Sequence, residues 1–191
     1  MTSSVPGTGI PHDIAKIHVP ALPDQTPEPP PRPRVRALKR HLIQSLRDLR
    51  VARRPERLIQ RPAPEPTGFT ATVLAAGCAT CRGHCCKGGG DHAYIDERTM
   101  ARVRRDHPDL DAGAIIRRFL ARVAPRSFPG SCLFHGEHGC TLGRDLRAEL
   151  CNAYYCNGLR DFLNRTETPE RMQIVAARNG IERRSVVLSR D

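Results

Sequence analysis

Eight cysteines constrain this 191-residue chain more than any other feature. Four are bunched as Cys78-Ala-Thr-Cys81-Arg-Gly-His84-Cys85-Cys86, and four follow as Cys132, Cys140, Cys151 and Cys156. A gap of two residues lets a pair of thiolates converge on one metal from a tight turn, as in zinc ribbons and iron–sulfur sites. Gly83 relaxes the backbone where that turn must reverse, and Lys87-Gly88-Gly89-Gly90 supplies amides that can donate to sulfur and tune a centre. Those glycines are not a nucleotide loop, because no Gly-x-x-x-x-Gly-Lys-Ser/Thr pattern is present. Cys132 and Cys140 flank a turn with Gly136 and Gly139, and Cys151 and Cys156 lie close together on or beside a helix. Neighbouring side chains project differently, so Cys85 and Cys86 serve two sites or one open cluster.

Composition says why such a staple matters. Aromatic residues make up 4% of the chain and Trp is absent. A domain this poor in large apolar side chains has a small core and gains from a metal or disulfide. Four disulfides would suit a secreted chain. The N-terminus shows no basic patch followed by an apolar stretch, so a cytoplasmic location is expected. In that reducing compartment clustered thiols are more often metal ligands. No apolar run of 18 or more residues is present, so no membrane-spanning helix is expected.

The composition changes at about residue 66. The first 66 residues hold 13 of the 17 Pro, and neither Cys nor aromatic residues. Residues 1–34 read as a disordered arm rich in Pro, with PEPPPRP from Pro27 to Pro33 favouring an extended polyproline-like stretch. That stretch is a solvated tail or a docking site for a proline-binding module. Residues 35–53 read as a basic amphipathic helix, with Val35, Leu38, Leu42, Leu46 and Leu49 on one stripe. Arg36, Lys39, Arg40, Arg47, Arg50, Arg53 and Arg54 occupy the other faces. Pro55 should end it, with a further turn through Leu58 and Ile59. Either the leucines dock on the rest of the chain and the cations face water, or the face binds nucleic acid, anionic lipid or an acidic protein. No aromatic lies among the cations, so binding to nucleic acid would be through phosphates. Residues 61–67 form a linker.

From Gly68 a cysteine-cluster domain is expected over 67–191. Phe69–Leu74 reads as a short strand or extended lead-in. Asp96 caps a helix over 97–106, and Asp111 caps a second with Ile115, Ile116, Phe119 and Val123 as its buried stripe. A third helix is expected from Arg144 to Tyr155. Thr168-Pro169-Glu170 reads as the start of a fourth, ending near Asn179-Gly180. Ser185–Leu188 reads as an edge strand or a disordered tail. The expected fold class is therefore mainly α: a small, metal-stapled, irregular helical domain behind a disordered arm.

The cysteine pattern resembles the YkgJ-type cysteine-cluster proteins, described as zinc- or iron-chelating and as containing iron–sulfur clusters. The resemblance covers about residues 78–156 and implies Cys78, Cys81, Cys85, Cys86, Cys132, Cys140, Cys151 and Cys156 as metal ligands. Two departures stand out. Three residues, Arg82-Gly83-His84, separate the second Cys from the Cys pair where the family has two. Arg147 precedes Cys151, but Ala148 takes the place of the usual proline. Thiolates serve zinc and iron alike. Two four-thiolate zinc sites, two cubane clusters, or one cluster with spare cysteines all fit, and the resemblance leans to iron–sulfur.

His84, His92, His135 and His138 lie beside the cysteines, as extra ligands or as surface and hydrogen-bonding residues. His84, inside the knuckle, is the strongest ligand candidate of the four. No catalytic constellation of side chains emerges, and a structural or electron-carrying role is expected before an enzymatic one. A thioredoxin-like setting for the CxxC is not evident. A similar motif in a bacterial flagellin lysine methylase implies a cluster-dependent redox or methyl-transfer enzyme as one alternative, though no adenosylmethionine-binding segment is recognisable. A zinc-stapled adaptor acting through the basic helix is the other.

Overall fold

The computed structural model describes residues 14–22, 24–52 and 66–190. The expectations for residues 1–13, for Arg53 to Ile59 and for 61–65 lie outside the described residues. In chain order the elements are β1 (Ala15–Pro20), α1 (Arg32–Val51), α2 (Gly68–Cys81), a 3-10 turn (His84–Gly88), α3 (Glu97–Asp106), α4 (Ala112–Leu120), β2 (His135–Gly136), β3 (Gly139–Cys140), α5 (Glu149–Ala153), α6 (Asn157–Leu163), β4 (Arg171–Arg178) and β5 (Ile181–Ser189).

The mainly α expectation is overturned. The described residues are 43% helix and 18% strand, with sheets of three and two strands. The larger sheet has the order β1-β4-β5, with β1 parallel to β4 and β4 antiparallel to β5. The 168–180 segment, expected as a helix behind Thr168-Pro169, is β4. Met172, Ile174 and Ala176 alternate along it and are fully buried on one face, the period of a strand. Asn179, in the left-handed region at φ 52°, and Gly180 turn the chain back into β5, as a tight hairpin requires.

The disordered arm is corrected too. Ala15–Pro20 is the first strand of the sheet, burying Ile17 and Val19. Further along, Glu28 bridges to Ser127. A parallel partner of β4 must be reached by a long crossover, and every helix among the described residues lies within that connection. At the far side of β1, α6 approaches its backbone closely. A Cβ on Gly158 would sit 1.9 Å from the His18 carbonyl oxygen, so only glycine fits there.

Two cores result. The first buries Leu38, Leu42, Leu46 and Leu49 of α1 against Met100 and Val103 of α3, Ile115 and Phe119 of α4, and Leu133, Phe134, Leu142 and Leu146 between the late cysteines. Helix α1 starts at Arg32, three residues earlier than its apolar stripe suggests, because Pro33 suits a first helical turn. Its Arg34 pairs with Asp91 and donates to the Ser131 carbonyl at 2.7 Å. The second core packs Val73 and Leu74 of α2, Leu159 and Phe162 of α6, and the inner faces of the sheet.

Helices α3 and α4 stand where their caps put them: Asp96 accepts from the Thr99 amide at 2.9 Å and Asp111 from the Ala114 amide at 2.6 Å. Two other assignments are corrected. Phe69–Leu74 is helical and belongs to α2, where Ala71, Ala75, Ala76 and Ala79 favour helix. The single helix from Arg144 to Tyr155 is instead the short α5, with the chain extended at Tyr154 before α6 begins.

Candidate metal centre

Cys78 and Cys81 occupy the last turn of α2, three residues apart and so on one face. The CxxC therefore closes a helix instead of standing in a free turn. The chain reverses through Arg82 at φ 57° and Gly83 at φ 84°, and delivers Cys85 and Cys86 in the 3-10 turn. Cys132 arrives from far along the chain and donates its amide to the Cys86 carbonyl at 2.9 Å. This approach depends on Gly89, where a Cβ would fall 2.9 Å from the Cβ of Cys132. Cys140 lies on β3, paired with His135 across the two-stranded ribbon. Cys151 is in α5 and Cys156 is the residue capping α6.

All eight cysteines are free thiols, so none of the pairs that disulfides would require is formed. They gather around two adjoining cavities. A cavity of about 60 Å³ is lined by Cys78, Cys81, Cys85 and Cys156, together with His84 and Tyr155. A larger one of about 330 Å³ is lined by Cys86, Cys132, Cys140 and Cys151, with Cys85 at the shared wall. Tyr94, Arg147, Leu150 and Tyr154 complete its sides. The adjacent residues Cys85 and Cys86 thus join the two groups. Among the described residues, no three Cys, His, Asp or Glu side chains are drawn together closely enough to hold a metal ion. The thiols line the cavity walls instead.

Burial sets the protonation of most of these thiols. It pushes Cys78 and Cys151 up to about 11 and Cys132 to about 12, with neighbouring thiolates adding to the effect. Burial also raises Cys81, opposed by amide hydrogen bonds from His84 and Gly83. Between Cys85 and Cys86 a thiol–thiol hydrogen bond dominates, holding Cys85 below the ordinary thiol range and Cys86 above it. Arg147 favours the thiolate at Cys78, Cys85 and Cys151, so its charge reaches both groups.

The amide donors to sulfur differ from those expected. They are His84 N to Cys81 Sγ at 3.3 Å and Phe134 N to Cys132 Sγ at 3.5 Å. In the glycine run, the Gly89 amide goes to the Cys86 carbonyl instead.

The histidines separate clearly. His135 is fully buried, with Nδ1 2.9 Å from Ser131 Oγ and Nε2 2.7 Å from the Arg82 carbonyl oxygen. Both ring nitrogens are engaged, so His135 ties the first knuckle to the second cysteine segment and is no free ligand. His92 stacks on His41 at 5.1 Å and accepts from the Tyr94 amide. His138 is exposed, and His84 alone lines a cysteine cavity.

Three positions carried no signal of their own. Arg102 is 7% exposed, pairs with Glu149 and Asp106, and donates to the carbonyls of Asp145 and Arg147. It holds the loop that carries Arg147 to the larger cavity. Ala93 and Tyr94, at φ 53° and 57°, hold left-handed conformations in that cavity's wall, a strain found most often at functional sites. Tyr154 and Tyr155 stand beside Cys151 and Cys156 in the sequence, but Tyr94 is eight residues from Cys86, the nearest cysteine.

The chain matches no family model, no curated protein and no solved structure. No helix among the described residues is long and apolar enough to cross a membrane.

Proposed function

We propose that this is a metal-binding cysteine-cluster protein of the YkgJ type, acting in the cytoplasm, with two four-thiolate centres. Cys78, Cys81, Cys85 and Cys156 serve the smaller cavity. Cys86, Cys132, Cys140 and Cys151 serve the larger. The observation that carries this reading is that eight free thiols from distant segments line two adjoining cavities that share a wall at Cys85. Soft thiolate sets suit zinc or an iron–sulfur cluster, and other divalent metals poorly. The smaller cavity offers the room of roughly two waters, enough for a single ion; the larger offers roughly ten times one water's share, room for a cluster. When bound, the metal crosslinks α2, the ribbon and α5, and an iron–sulfur cluster adds one-electron chemistry. The role is structural or electron-carrying.

A second reading has one observation in its favour. The larger cavity has strained Tyr94 and the guanidinium of Arg147 beside its thiols. A cluster-dependent redox or methyl-transfer enzyme would use such space for a substrate.

Anaerobic purification followed by analysis of iron, zinc and acid-labile sulfide tests the main reading. Iron with matching sulfide identifies clusters, and zinc without sulfide identifies structural sites. Cys81→Ser and Cys140→Ser should each lower the bound metal by at least half. A folded, metal-free protein would overturn the reading.

Proton linkage gives a further expected result. Cys78, Cys132 and Cys151 have their pKa raised from 9.0 to between about 11 and about 12 in the metal-free fold. Between those values the folded chain holds protons that the unfolded chain has released. The slope of stability with pH is then negative. Without metal, the folded form should therefore become rarer still as the pH rises from 9 towards 11–12. Metal replaces the protons, so uptake should release protons and tighten with rising pH. Chelator competition and the residual helical signal of the metal-free chain, followed across pH 8 to 11, read both effects.

A further inference from the structure

Helix α1 is amphipathic in an unusual way. One face is locked into the first core by Leu38, Leu42, Leu46 and Leu49. At 100° per residue, Arg32, Arg36, Lys39, Arg40, Arg47 and Arg50 fall on a separate arc, and all six are exposed. Among the described residues none of the six takes part in an ion pair. Over 18 residues the row runs about 27 Å at about 1.5 Å per residue.

This row works against the helix that carries it. The first turn holds no acidic residue, and cations there oppose the helix dipole. Arg32–Arg36, Arg36–Lys39, Arg36–Arg40 and Arg47–Arg50 are like-charge neighbours at spacings of three or four, each destabilising by about 0.2–0.5 kcal/mol. A merely solvated face would be stabler with glutamates interspersed. A face that breaks a local rule four times points to a partner that compensates for it.

The partner's chemistry follows from what the row contains and lacks. It carries one sign of charge from end to end, which matches an extended polyanion. It has no aromatic to stack on a splayed base, so a single strand finds no platform. It also lacks an aromatic anchor of the kind on which protein interfaces depend, its apolar side chains being half-buried Ile43 and exposed Val51. We propose that this face of α1 binds the phosphate backbone of duplex DNA, without reading its sequence. Duplex DNA presents one charge per about 1.7 Å of axis, so a row of this length runs past more phosphates than it has cations. The inference is independent of the metal reading.

The test uses the full chain, a fluorescein-labelled 20-base-pair duplex of mixed sequence, and anisotropy from 50 to 300 mM salt. Wild type should bind with a log–log salt slope of about −5, since each neutralised phosphate contributes about −0.9. The triple variant Arg36→Gln/Arg40→Gln/Arg47→Gln should bind at least about tenfold more weakly at 50 mM, with the slope reduced by about 2–3. Its melting temperature should equal or exceed that of wild type, because repelling pairs have been removed. Arg171→Gln/Arg178→Gln/Arg190→Gln removes the same charge from the sheet and should change affinity by no more than about threefold. Equal weakening in both triples would show that net charge alone binds DNA and overturn the proposal. So would tighter binding to single-stranded DNA, to polyglutamate or to anionic vesicles than to the duplex.

Discussion

Removing the metal with a chelator under anaerobic conditions is expected to unfold the region between Cys78 and Cys156, beyond emptying a site. Apart from α3 and α4, little regular structure holds this region. Its cysteines sit on a 3-10 turn, a ribbon of two-residue strands and the five-residue α5. Structural zinc is worth about 10–16 kcal/mol in small peptides at neutral pH, against a total stability of about 5–15 kcal/mol for a typical domain. Loss of either centre on that scale cannot be absorbed. The same segment supplies Leu133, Phe134, Leu142 and Leu146 to the first core, so its release strips α1 and α4 of their packing. Hydrogen exchange read by mass spectrometry should show protection lost across residues 82–95 and 130–156, with the β4–β5 hairpin losing least. Unchanged protection after complete metal removal would show that the thiols are not structural.

The second large effect concerns α1. Leu38→Ala and Leu42→Ala each remove a fully buried side chain from the first core. Either should cost about 2–5 kcal/mol, and neighbouring cavities couple, so the double variant need not equal the sum. The double variant should come near the whole stability of the chain. It should also reach the cysteines, because α1 carries Arg34 to Asp91 and to the Ser131 carbonyl, one residue before Cys132. Urea denaturation measures the first effect and thiol labelling the second, with Cys132 and Cys86 expected to react faster. A double variant with unchanged urea midpoint would mean that α1 is dispensable to the fold.

The basic row connects these effects to the proposed DNA contact. Its orientation is set by the leucines on the neighbouring face. Loosening the leucines should therefore weaken duplex binding even though every cation remains.

The sequence by itself determined what is local. Asp96 and Asp111 announced α3 and α4, because a capping carboxylate satisfies amides two or three residues away. The leucine spacing announced α1 and its buried face, because period 3.6 is written in consecutive residues. The eight thiols and their soft donor chemistry were legible in full. The tertiary structure decided the rest. It alone pairs β1 with β4 from opposite ends of the chain, since a parallel neighbour leaves no mark in the residues beside it. It turned a proline-led segment into β4, where alternating burial outweighed a helix-start signal. It made Phe69–Leu74 helical and closed that helix on Cys78 and Cys81. It also put Cys85 on the wall that the two cavities share and Cys86 on the larger cavity alone. Spacing along the chain states which thiols are near in sequence, while the left-handed turn at Arg82–Gly83 and the close approach at Gly89 decide which thiols face one another.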